Sequence, residues 1–313
     1  MIQTKGLTKR FGAVTAVQDL SLRIGPGEIF GFIGPNGAGK STTMKILACL
    51  LDPDEGSARV DGHDTRTGGD AIRRILGYMP DFLGVYDDLT VDEYLQFFAA
   101  AFRIPRKRRW GVVDSVLELT DLGDKRRAMV ESLSRGMQQR LGVARVLIHE
   151  PKILLLDEPA SGLDPRARIE MRSLLVELGR MGKTLMVSSH ILTELAEMCT
   201  SIGIIERGQL LYAGPIQEAY AHAHAGQRIA VTLDAGDGGA QPDRIAEVLR
   251  RHPKVDRVQA EDGRLVVELA PGEHGHHFLI EELIGCGARI GSFTPMEVRL
   301  EEAFLRLTRG QVQ

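Results

Sequence analysis

Apolar residues recur along this chain with two periods, and the changes between them mark out strands and helices. Leu20, Leu22 and Ile24 alternate with polar neighbours as a half-buried strand does, and residues 1–33 read as β-rich. Gly25-Pro26-Gly27 breaks that strand. Ile29-Phe30-Gly31-Phe32-Ile33 is a compact apolar run that reads as a strand. A helical pattern follows over Thr43–Leu51, then a turn cluster at Asp52–Gly56 and short strands at Ser57–Val60 and Ile75–Met79. Thr90-Val91-Asp92-Glu93 is a capping box, and Val91, Tyr94, Leu95, Phe98 and Phe102 keep helical spacing until Pro105. A second helix is predicted over Gly111–Leu119 and a third behind Ser134, a good N-cap residue. Residues 85–150 therefore read as a helical subdomain inserted in a β/α chain.

The pattern then returns to strands. Ile153–Leu156 is a buried run ending in Asp157-Glu158, and Ser161–Pro165 is a turn before a helix reaching Gly179. Thr184–Val187 is a second buried run, delivering Ser188-Ser189-His190 to its end. Ile202–Ile205 and Gln209–Tyr212 flank a turn at Glu206-Arg207-Gly208. Composition shifts at Ala221–Gly226, which divides the chain into a domain over 1–220 and a second over 227–313. In the second, strand Arg228–Leu233, helix Arg244–Arg251, strand Val255–Ala260, turn Asp262-Gly263, strand Arg264–Leu269, helix His277–Ile284 and strand Arg289–Phe293 give the order βαββαβ. That is the ferredoxin-like order, and a last helix is predicted over Arg299–Leu307. No catalytic constellation is evident in this part, and no internal repeat anywhere.

Composition narrows the classes. The 313 residues, 43% hydrophobic and 26% charged with net charge −3, are those of an ordinary globular chain of about two domains. A negative chain without a basic face gives no support for nucleic-acid binding. The basic run Arg106-Lys107-Arg108-Arg109 is isolated and reads as a solvated helix start. Cys49, Cys199 and Cys286 are far apart and form no C-x-x-C pair, as in a reduced cytosolic protein. No leader-like apolar segment opens the sequence, and no apolar stretch approaches the ~18 residues of a membrane span. If the protein acts at a membrane, another chain supplies the membrane part. Six of the nine histidines lie in the last third, including His222-x-His224 and His274-Gly275-His276-His277, either a metal-binding tract or solvated surface histidines.

The chemistry centres on Gly34-Pro35-Asn36-Gly37-Ala38-Gly39-Lys40-Ser41-Thr42, between an apolar strand and a helix. Glycines let the backbone turn sharply and approach a ligand, and the N–H groups at a helix start converge on an anion. Strand, loop and helix is the context of a phosphate-binding loop. In it Lys40 reaches the β- and γ-phosphates, and Ser41 is a candidate Mg²⁺ ligand. Asp157, at the carboxyl end of a buried strand, can hold Mg²⁺, and Glu158 can orient or deprotonate an attacking water. His190, at the end of a later strand, can donate to the γ-phosphate. Phe11, near a turn, either stacks on a base or packs internally.

In this order, residues 1–220 closely resemble the nucleotide-binding subunit of an ATP-binding cassette (ABC) transporter. In that pattern Phe11 matches the base-stacking aromatic and residues 34–42 the Walker A loop. Leu133-Ser134-Arg135-Gly136-Met137 matches the signature loop, Asp157 and Glu158 the Walker B acid and catalytic glutamate, Asp164 the dimer-contact aspartate and His190 the switch histidine. The resemblance implies a P-loop NTPase cassette with an antiparallel β subdomain and an inserted helical subdomain, using ATP and Mg²⁺. It implies two cassettes, identical or not, each ATP lying between one chain's Walker A loop and Ser134 and Gly136 of the other. It also implies an integral membrane permease as partner, and a place on the cytoplasmic face of the cell membrane.

The sequence departs from the family pattern at three positions. Asp81 stands where glutamine is usual; it can still ligate Mg²⁺ but adds negative charge beside phosphates. Arg135 and Met137 stand where glycine and glutamine are usual. The last third is similar to the α+β accessory domain of cassettes whose export permease is a separate chain, with Glu301–Leu307 similar to that branch's ending. Export is the expected direction, and the apolar loop Phe82–Tyr86 either helps receive a permease helix or packs internally. The competing class is a soluble ATP-switched module of translation or DNA repair. Such proteins carry two cassettes, a long coiled coil, or basic and zinc-binding insertions, none of which is evident here.

Overall fold

The computed structural model describes residues 1–82, 84, 88–191, 195, 197–218, 228–234, 242–261, 264–270, 273 and 275–296. The chain divides into two compact units, Met1–Ile216 and Gln217–Gln313.

The first unit holds two sheets. β1 (Ile2–Phe11), β2 (Val14–Ile24), β4 (Glu55–Val60) and β5 (His63–Asp64) form an antiparallel sheet in the order β2-β1-β4-β5. The second contains β3 (Ile29–Ile33), β6 (Leu76–Met79), β7 (Ile153–Leu156), β8 (Thr184–Ser189), β9 (Ser201–Glu206) and β10 (Gln209–Pro215), in the order β10-β9-β3-β8-β7-β6. It is parallel except for β10, which runs antiparallel to β9. Every residue of β3, β7 and β8 is buried, as continuous apolar strands in a parallel sheet require. Each large apolar side chain buried here, such as Phe30 and Phe32, contributes about 1.5–3 kcal/mol, so the strand ends are firmly placed. Since β8 lies between β3 and β7, the three carboxyl ends carrying Gly34–Thr42, Asp157-Glu158 and His190 are neighbours. Ligands bind at that edge of a doubly wound sheet.

Helix boundaries differ from the sequence expectation where no apolar period exists. α1 spans Lys40–Leu47 rather than Thr43–Leu51; Gly39 at φ 107° opens it, and Cys49 turns left-handed at φ 58° just beyond its end. α2 (Gly69–Ile75) was not predicted: it buries only Ile72, so it leaves no periodic trace, and β6 starts at Leu76 instead of Ile75. In α3 (Val91–Ala101) the capping box is formed, with Thr90 N–H donating to the Glu93 carboxylate at 2.8 Å and Glu93 N–H to Thr90 Oγ1 at 3.3 Å. α4 (Arg106–Leu119) begins before Gly111, because the basic run forms its solvated first turn behind Pro105. α5 (Arg135–Leu147) is capped by Ser134, whose Oγ accepts from Met137 N–H. α6 (Pro165–Arg180) is capped by Asp164, which accepts from Ala167 N–H at 2.9 Å.

The second unit contains β11 (Arg228–Leu233), α7 (Pro242–Arg250), β12 (Val255–Glu261), β13 (Arg264–Leu269), α8 (His277–Gly285) and β14 (Ile290–Met296). Its antiparallel sheet has the order β12-β13-β11-β14, the ferredoxin-like arrangement of βαββαβ. Ile229, Val231, Ile245, Leu249, Val267, Leu279 and Leu283 form its core. The Asp262-Gly263 turn, the predicted helix 299–307, the Glu301–Leu307 ending, His222, His224 and His274 lie outside the described residues. Among the described residues no group of His, Cys, Asp and Glu converges to hold a metal ion. His276 stacks on His277, and His252 on Phe278.

Candidate active site

The loop after β3 depends on its glycines for two separate reasons. A Cβ on Gly34 would run into the Ile205 carbonyl oxygen, and one on Gly39, at φ 107°, into that of Ala16. Gly37 faces open space, and there the left-handed φ of 80° favours glycine. Ala16, residues 36–42, Asp81 and Glu158 line a cavity of about 150 Å³. Lys40 is 5% exposed. Its Nζ donates to the carbonyls of Gly34 at 2.7 Å and Pro35 at 3.2 Å, and lies 3.2 Å from Glu158 Oε1. Thr43 Oγ1 donates to the Gly39 carbonyl at 2.9 Å, tying the first turn of α1 to the loop.

Asp157 and Glu158 are both buried past the end of β7. The structure supplies a partner for them to which the sequence reading gave no role. Ser188, fully buried, donates its hydroxyl to Asp157 Oδ1 at 2.6 Å and accepts from Glu158 N–H at 2.9 Å. Only the pairing of β7 with β8 brings these residues together; the available signal was the change from apolar residues to Ser188-Ser189-His190. Glu158 has a left-handed φ of 51°, which is strained for a non-glycine residue. His190 Nδ1 lies 2.8 Å from Glu158 Oε2, while the buried Oε1 faces Lys40 Nζ as an ion pair at 3.2 Å without a well-formed hydrogen bond. That oxygen retains acceptor capacity for a water or hydroxyl.

Phe11 is half exposed at the end of β1, with Lys9 Nζ 5.6 Å from its ring centre, so its ring is not part of the core. Its hairpin partner β2 contributes Ala16 to the loop cavity. Ser134 and Gly136 are not among the residues lining that cavity. Asp81 is. Burial raises its carboxyl above the ordinary range, as do the negative Asp157 and Glu158, against the pull of Arg135 and Lys40. A carboxyl with a raised folded pKa contributes stability below its unfolded pKa and loses it as the pH rises through the folded value. Asp81→Asn, which carries no charge, is therefore expected to raise the melting temperature of the nucleotide-free protein at pH 7. The advantage shrinks as the pH falls into the carboxylate range. Melting curves of both proteins across pH check this.

The buried lysine and the N–H-rich loop fit a nucleotide triphosphate. Ser41 and Asp157 with phosphate oxygens fit Mg²⁺, which is typically held by one or two carboxylates plus substrate phosphates. The comparisons with known proteins agree with this class of site. A model of the family described as ABC transporter matches residues 17–161. The chain is 33% identical to the Nod factor export ATP-binding protein I of Rhizobium sp., covering 100% of this chain and 98% of that protein. It is 36% identical to the probable multidrug ABC transporter ATP-binding protein YbhF of Escherichia coli, covering 99% of this chain but only 52% of YbhF, about half its length. A solved dimeric ATP-binding cassette in a post-hydrolysis state, bound to ADP and Pi, matches with a TM-score of 0.63 and 26% identity, over 69% of this chain and 99% of that one. The chain belongs to the family of ABC transporter ATP-binding proteins.

Proposed function

We propose that this chain is the ATP-hydrolysing subunit of an ABC exporter, coupling ATP binding and hydrolysis in a cassette dimer to transport through a separate membrane permease. The observation that carries the reading is the meeting of the Gly34–Thr42 loop, Asp157-Glu158 and His190 at three adjacent strand ends. Among the described residues nothing comparable supports the translation or DNA-repair alternative, and the relatives above are named for export and drug transport.

The reaction is attack of water on the γ-phosphorus of ATP, releasing ADP and phosphate. Glu158 orients the water and takes its proton; the Ser188 hydroxyl and the left-handed backbone fix where that carboxylate points. Lys40 exchanges Glu158 for the β- and γ-phosphates, while its bonds to Gly34 and Pro35 keep the loop closed around it. His190 donates to the γ-phosphate once it leaves Glu158. Ser41 and Asp157, with Asp81 as a further ligand, would hold Mg²⁺, which neutralises developing phosphate charge when bound. Phe11 stacks on the base. Ser134 and Gly136 serve the ATP of the second cassette, consistent with their place outside the chain's own loop cavity.

The permease supplies the span. Among the described residues no helix is long and apolar enough to cross a membrane. Tyr86, expected at the docking loop, lies outside the described residues; Phe82, its described aromatic, is 84% exposed. A cavity of about 720 Å³ opens between α2, the α3–α4 turn and the end of α5. Arg73, Arg74, Arg103 and Arg108 line it against Asp70 and Glu150, and Asp70 is already paired with Arg73 at 2.6 Å. A basic cavity on a chain of net charge −3 suits an acidic cytoplasmic segment of the permease. Replacing Arg103 and Arg108 together by Glu should abolish recovery of the permease with the chain and leave ATP affinity within about twofold. Undiminished recovery in a co-purification from detergent-solubilised membranes would remove this docking surface.

A further inference from the structure

Arg135 is an odd residue for its place. It is the first residue of α5, and no acid sits in that first turn, so its charge opposes the helix dipole. Its guanidinium instead lies over the backbone of Gly162, in the turn leading from Glu158 to α6. A Cβ on Gly162 would stand 2.6 Å from Arg135 Nη2 and 2.7 Å from Nη1, and Gly162 is itself left-handed at φ 68°. The neighbouring residue repeats the close approach, since a Cβ on Gly136 would come within 2.9 Å of Ala167 Cβ in the first turn of α6. The covered turn is short and internally bonded. Ser161 N–H donates to the Glu158 carbonyl at 3.0 Å and Leu163 N–H to that of Ala160 at 3.3 Å, and Asp164 caps α6.

We infer that Arg135 is a positioning residue for hydrolysis: its guanidinium, laid flat on Gly162, locks the Glu158–Asp164 turn to the start of α5. The signature loop and the carboxylate that places the water then move as one body. A phosphate meeting Ser134 and Gly136 from a second cassette is thereby registered at Glu158 of the same chain. This goes beyond the ATPase reading but rests on Glu158 as the residue that places the water.

The test is steady-state ATP hydrolysis by the full chain, with rates normalised to nucleotide-binding stoichiometry so that unfolded protein does not count. Arg135→Met and Gly162→Ala are each expected to lower kcat roughly tenfold, inside the hundredfold that a misplacement of ~1 Å costs. KM for ATP should stay within about twofold. The double variant should be no slower than the slower single, because both changes remove one contact. Arg135→Lys should behave like Arg135→Met, since an ammonium keeps the charge but cannot lie flat on a backbone. Losses that multiply in the double variant, a wild-type kcat in Arg135→Met, or a change confined to KM would each overturn the inference. If Gly162→Ala fails to fold, the Lys and Met variants decide alone, and wild-type kcat in Arg135→Lys overturns it. Sustained turnover in Glu158→Gln would bring down both this inference and the reading beneath it. Lost turnover in Glu158→Gln together with multiplying Arg135 and Gly162 effects would bring down this inference only.

Discussion

Glu158→Gln lowers ATP turnover by about 10²–10⁴, the range of a lost general base, and leaves ATP binding intact. The amide keeps the size of the side chain and one carbonyl acceptor, so Ser188 still receives the backbone N–H of residue 158 and the turn keeps its shape. What disappears is the negative charge that draws the proton from water. Loss of that charge also ends the competition for Lys40, whose Nζ lies 3.2 Å from Glu158 Oε1. ATP affinity in the variant is therefore expected to equal or exceed that of the wild type. Calorimetric ATP titration beside a phosphate-release assay separates the two effects. Turnover within a few-fold of wild type would remove Glu158 from the base role.

Lys40→Met produces the opposite signature, a loss of binding first. Methionine fills the buried space but cannot donate to the Gly34 and Pro35 carbonyls, nor to a phosphate. A hydrogen bond to a charged group contributes about 1.5–3 kcal/mol, and 1.4 kcal/mol is tenfold in affinity, so ATP binding should weaken roughly 10- to 100-fold. Hydrolysis should fall at least as far as in Glu158→Gln, because the γ-phosphate loses its counter-charge as well. The same titration reads the result. ATP affinity at the wild-type level would show that the lysine's phosphate contact is dispensable and that its loop bonds are its whole role.

The residues that meet at the strand ends were legible in the sequence because a phosphate-binding loop, the role proposed for residues 34–42, leaves little choice of residue. A loop whose backbone approaches an anion needs glycine where a Cβ would strike Ile205 or Ala16, and those are Gly34 and Gly39. A buried strand ending in two carboxylates is equally readable, since apolar runs such as Ile153–Leu156 rarely end that way without a ligand beyond. The C-terminal βαββαβ order was readable for a related reason: each strand there alternates or runs apolar between clear turns. What escaped depended on contacts across the sheet or on exposed segments. The Ser188 bridge exists only in the β7–β8 register. The contact of Arg135 with Gly162 joins the start of α5 to a turn that no local pattern connects with it. α2 and the first turn of α4 carry few buried residues, so hydrophobic period could not find them.

The central claim is that this site drives a membrane partner, and one measurement bears on it most directly. Glu158→Gln protein, with and without ATP, is used to capture partners from detergent-solubilised membranes of the native host, and the captured chains are identified by mass spectrometry. The account predicts a multi-span membrane protein in stoichiometric amount. Recovery of ribosomal or DNA-associated proteins with no membrane protein would contradict it, leaving the ATPase chemistry in place and moving the function to a soluble ATP-switched module.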